Sequence, residues 1–194
     1  MRNIIGIILI LVIGLTSCEG RKSQSQALSE SIDEFKKSAS LEVDVYVPET
    51  YLEQRVDTTL SNGYKIVIKT YSDEENNVLF SKIKDTVNYQ TYYRNYKFDI
   101  SITKNEQLIY SESFDKPRVN EDFNYNSPNS SGSYLRDFDK FSVLKSIQVN
   151  DDPSLKNVVG IDIIYAIPES DKYAYHTLFI DEKGKSNIVQ NEVK

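Results

Sequence analysis

The chain has 194 residues, 39% hydrophobic and 27% charged, with a formal charge of −6, one Cys, one His and no Trp. A single Cys excludes an internal disulfide and any site built from several thiolates, and a single His removes most metal centres, so neither metal nor cofactor is expected. The acidic balance argues against a nucleic-acid partner, because affinity for phosphates is built from clustered Lys and Arg.

The amino terminus reads as a targeting segment. Arg2 is followed by an apolar run from Ile4 to Leu15, broken only by Gly6 and Gly14. As a helix this run reaches roughly 18 Å against a hydrocarbon core of roughly 30 Å, so it fits a secretory h-region better than a membrane span. Leu15, Thr16, Ser17 and Cys18 then stand in the order of a lipobox. In these residues the chain resembles a bacterial lipoprotein precursor. The resemblance implies that residues 1–17 are removed as a signal peptide and that the Cys18 sulfur, a good nucleophile for alkylation, carries the acyl anchor. Two or three acyl chains on one residue hold a protein on the bilayer almost permanently, so the expected location is the cell envelope, at the outer membrane, with the face left open. Asn, Ile, Lys and Tyr make up about a third of the chain. With the lipobox and a strand-rich body, this is similar to small Bacteroidota lipoproteins that carry a domain of unknown function. That likeness implies O-glycosylation at Thr58 and Thr86, within Asp57-Thr58-Thr59 and Asp85-Thr86-Val87.

Residues 18–40 are expected to form a tether. Glu19 to Ala27 is Ser, Gln and charge without periodicity. Leu28, Ile32 and Phe35 then fall at helical spacing, with Ser31 and Glu34 placed as a capping box, which predicts a short helix between 28 and 38.

Beyond residue 40 the apolar period becomes two. Leu41, Val43, Val45 and Val47 alternate with Glu42, Asp44 and Tyr46, and Pro48 ends the run. Strands follow from Tyr64, after the turn signal Ser61-Asn62-Gly63, and from Val78 to Lys84. Tyr96 to Thr103 and Leu108 to Phe114 flank Lys104-Asn105-Glu106 as the clearest hairpin. Asp115 to Tyr134, rich in Asn and Pro, reads as a long disordered connection. Phe141 to Val149, Val158 to Ile167, Tyr173 to Ile180 and Ser186 to Gln190 complete about nine strands, which predicts an all-β fold over 41–194, an antiparallel sandwich or partly closed barrel.

Few residues invite chemistry. His176 and Asp162 share a face if their strands pair in even register, and Asp could then orient the imidazole as part of a hydrolase. No Ser or Cys is placed to complete a triad. Ser-x-x-Lys occurs at Ser81, Ser113 and Ser142, but two of the three fall on strands or strand ends, whereas the penicillin-binding signature needs the Ser opening a helix. Tyr is abundant, and Tyr89, Tyr92, Tyr93 and Tyr96 crowd around Arg94. Flat rings with a polar tip suit protein or glycan contact. These readings lean away from an enzyme and toward a lipid-anchored binding or assembly module for an envelope protein or glycan; the alternative is an envelope hydrolase using His176 and Asp162.

Overall fold

The structure, a computed structural model, describes residues 23–38, 41–84, 87–126 and 136–194. Cys18, Thr86 and the segment 127–135 therefore lie outside the described residues. By contacts the chain divides into two units, Met1–Glu42 with Ile83–Asn88, and Val43–Lys82 with Tyr89–Lys194.

In the first unit, α1 spans Gln24–Ser38, starting earlier than the apolar spacing predicts. The reason is a different capping box. The Ser23 hydroxyl accepts from the Gln26 amide at 3.2 Å, and the Gln26 side chain accepts from the Ser23 amide at 3.1 Å. Two amides otherwise left without partners are satisfied about two turns before Ser31. Part of the expected tether is thus helix.

The strands, nearly all of whose residues belong to the second unit, form an all-β sandwich of two sheets. The first contains β1 (Leu41–Val47), β2 (Glu53–Thr59), β3 (Tyr64–Lys84), β4 (Val87–Lys104) and β5 (Gln107–Phe114) in the order β1-β4-β3-β2, with β5 also paired to β4. The second contains β6 (Val143–Asn150), β7 (Val158–Ala166), β8 (Tyr173–Asp181) and β9 (Ser186–Val193) in sequence order. Each face of the core follows from alternation. Ile66, Ile68, Phe98, Ile100 and Ile102 from the first sheet meet Ile161, Ile163, Leu178 and Ile180 from the second, all essentially without solvent exposure. A fully buried Ile or Leu contributes about 1.5–3 kcal/mol, so this layer is the main cohesive element. The β4–β5 turn carries Asn105 and Glu106 at φ 51° and 66°, the conformation a two-residue hairpin requires.

The strand count agrees with expectation, yet its composition differs. β3 runs unbroken through Ser72–Asn77, where the sequence suggests a gap. Asp73 is buried there and accepts from Asn76 at 2.8 Å, with Lys97 3.5 Å away. These partners let polar residues continue a strand. β2, unpredicted, pairs with β3 from Glu53↔Tyr71 to Thr59↔Lys65. Thr58 sits within it, half-buried and opposite Ile66.

The long connection after β5 is a second correction. It opens with α2 (Lys116–Asp122), whose first turn is capped by the Asp115 carboxylate accepting from the Arg118 amide at 3.0 Å. Pro117 lies in that first turn, where its missing N–H costs nothing. Val119, Phe123 and Tyr125 then enter the core, so these residues are structural rather than loose. A one-turn helix, α3 (Phe138–Phe141), precedes β6.

Gly184, in the β8–β9 turn, joins the sheets closely. A Cβ there would stand 2.2 Å from the Ile109 carbonyl oxygen, and φ is +77°. Gly184→Ala should lower unfolding free energy by at least about 2 kcal/mol in a denaturant titration, since both the clash and the backbone conformation oppose a side chain. An unchanged midpoint would show that the turn does not seat on β5.

Candidate functional site

The most unusual chemistry lies in the core. Lys116, at the start of α2, is only 7% exposed, and its Nζ donates to the Ser142 Oγ at 2.5 Å. The ammonium sits 4.9 Å from the Tyr165 ring and 5.8 Å from the Tyr125 ring. Burial pushes Lys116 down to about 7, opposed by the Asp139 carboxylate. Each partner comes from a different Ser-x-x-Lys match, so the pairing is tertiary and invisible in either four-residue match. A neutral Lys on a Ser hydroxyl is the arrangement of a base and a nucleophile. Here, however, Ser142 has no exposed surface, so a substrate carbonyl has no approach to Oγ.

His176 belongs to the same cluster. β7 and β8 pair as Ile163↔His176 and Asp162↔Thr177, one residue away from the register that would unite His176 and Asp162. They therefore face opposite sides of the sheet, and the His–Asp pair of the hydrolase reading does not form. Asp162 instead accepts from the Thr177 hydroxyl at 2.6 Å and from Asn150 at 3.2 Å. His176 is 1% exposed, shares a 3.2 Å hydrogen bond through Nδ1 with the Tyr125 hydroxyl, and lies 4.7 Å from the Phe123 ring. Its Nε2 and the Tyr165 hydroxyl have no partner among the described residues. Burial holds the imidazole down at about 4 and pushes the Tyr125 and Tyr165 hydroxyls well above the usual tyrosine range. A neutral imidazole walled by rings is a packing element.

The Tyr-rich segment is on the surface but does not form one platform. Strand alternation divides it. Tyr92 stacks on Tyr46 of β1 with centroids 4.9 Å apart, and the Arg94 guanidinium lies 5.1 Å from the Tyr46 ring on its own account. Arg94 Nε also donates to the Pro48 carbonyl at 3.1 Å, fixing the end of β1. Tyr93 turns elsewhere, packing edge-on against Phe80 and donating to Glu169 at 3.0 Å. Tyr96 is half-buried and lines a cavity of about 270 Å³ with Leu52, Leu144 and Ile147. Tyr89 remains exposed. The partner that sequence reasoning missed is Tyr46, hidden because its strand announces itself through its valines.

Among the described residues, no group of three or more His, Cys, Asp or Glu side chains is placed to hold a metal ion, and no helix is long and apolar enough to cross a membrane. No family model and no curated protein matches the chain.

The two depressed bases set a pH dependence. Lys116 binds its proton more weakly folded than unfolded, so stability rises with pH between about 7 and 10.5, and a penalty of roughly 5 kcal/mol is fully present below 7. Lys116→Met should raise the melting temperature at pH 6 and flatten that alkaline rise; a rise that persists would mean another group titrates. His176 contributes stability that is present above 6.5 and lost as pH falls through about 4, worth roughly 3 kcal/mol. His176→Phe should shrink the acid-limb slope measured by urea titration between pH 6.5 and 4, and an unchanged slope would contradict the buried neutral imidazole.

Proposed function

We propose that this chain is a lipid-anchored protein of the cell envelope, held at the outer membrane through Cys18, and that its β domain is a non-enzymatic binding module. One observation carries the binding face: Tyr92 and Arg94 of β4 stack on Tyr46 of β1, a strand exposed along its whole length. Stacked rings braced by a guanidinium offer area without the entropy cost of long side chains, which suits recognition of a protein surface. Among the described residues nothing supports the hydrolase alternative, because His176 and Asp162 are separated and the Lys116–Ser142 pair is sealed. The anchor rests on the lipobox alone.

Two experiments address the two halves of this reading. Metabolic labelling with a palmitate analogue should mark the wild-type chain and leave Cys18→Ala unlabelled; equal labelling would defeat the anchor. A photoreactive group at Tyr89 should form discrete cross-links in native membranes. The double variant Tyr46→Ala with Tyr92→Ala should lose most of them while keeping its circular dichroism, and undiminished cross-links would remove the binding face.

A further inference from the structure

Each sheet edge is a row of backbone donors and acceptors that invites another strand unless it is blocked. Among the described residues, four of the five outer strands carry a block. β5 has the extra residue Ile109 in its ladder, and the Gly184 turn seats on the Ile109 carbonyl. β6 and β9 are bulged at Lys145 and Asn191. β2 is laced with charge, Arg55 3.7 Å from Asp57 and Glu53 3.2 Å from Lys69. β1 differs. Leu41, Val43, Val45 and Val47 are each at least 40% exposed, and among the described residues β4 is its one strand partner.

We infer that the outer edge of β1 at Val43–Val47 is a strand-addition site for an extended polypeptide segment whose side chains alternate between apolar and basic. This deepens the proposed binding face and rests on it. The complement is written in the strand. One face presents Val43, Val45 and Val47, and the other presents Asp44, which has no hydrogen bond or ion pair among the described residues, next to Tyr46. An incoming strand adds main-chain hydrogen bonds along the edge, lays apolar side chains beside the valines, and places a cation opposite Asp44. A second copy fits badly. In every antiparallel register that pairs at least five residues of Leu41–Val47 and keeps the valines on one face, Asp44 lies opposite or diagonal to an acidic residue of the other copy. Like charges so placed are destabilising.

The test uses the full chain in non-ionic detergent and three kinds of capped, fluorescent seven-residue peptide: alternating Val and Lys, alternating Val and Glu, and the Val/Lys peptide N-methylated on either its odd or its even residues. By anisotropy, the Val/Lys peptide should bind at least tenfold more tightly than the Val/Glu peptide. Asp44→Lys should reverse that order, whereas Asp57→Lys on the far edge of the sheet should leave it intact. One N-methylation pattern should abolish binding and the other should not, because only one set of amides faces β1. Equal binding of both peptides, no binding to natively folded chain, the same shift in Asp57→Lys, or tolerance of both methylation patterns would overturn the inference. So would a peptide-free dimer that the peptide disperses, since it would make a second copy the occupant. If these arms fail while the Tyr46/Tyr92 variant still loses its cross-links, the binding face stands without strand addition; if the cross-links are also unaffected, both fall.

Discussion

The apolar layer between the two sheets is the contact on which the rest of the molecule depends. Ile66, Ile68, Ile100 and Ile102 from one sheet lie against Ile161, Ile163, Leu178 and Ile180 from the other, and no other part of the described chain buries aliphatic surface so completely. Because side chains alternate strictly, committing these residues to the interior also commits every neighbour. Asp162 must face away from His176, and the ring of His176 must enter the layer beside Phe123. A buried amine at Lys116 is tolerated only because the layer supplies Ser142 and two tyrosine rings around it. Polar groups in this core act as costs that the aliphatic contacts offset.

The same alternation has the opposite effect where a strand has only one layer. β3 and β4 run well past β2, whose pairing stops at Tyr71, and β1 lies against β4. The side chains of β1 are exposed on both of its faces. The apolar residues of β1 stay in solvent, and Tyr46, Tyr92 and Arg94 stack on one another instead. The core and the proposed binding face are thus two outcomes of one pattern, differing in how far the strand is buried.

How much of this is legible in the sequence depends on whether the cause is local. The β4–β5 hairpin, β1, β7 and β8 declare themselves because alternation and a turn lie within a few residues. β2 does not, since both its faces are polar and its pairing partner supplies the reason for it. Asp73 keeps β3 continuous through partners on other residues, Asn76 and Lys97. α2 hides inside an Asn- and Pro-rich stretch, although Asp115 three residues before Arg118 and Pro117 in the first turn are signals that a capping reading could have found. The site is least legible. Placing His176 with Asp162 turns on a one-residue register, the Lys116–Ser142 pair joins positions 26 apart, and Tyr46 meets Tyr92 across two strands.

Strand addition at β1 requires that β1 belong to the sheet yet leave one backbone edge open. Residue-resolved amide exchange over Val43–Val47, measured on the free chain, tests it most directly. An open edge predicts alternation, with amides bonded to β4 exchanging slowly and the intervening, outward-facing amides exchanging near the rate of unstructured backbone. Uniform protection would mean that the edge is already occupied, and uniform fast exchange would mean that β1 is not a strand of the sheet; either result would contradict the account.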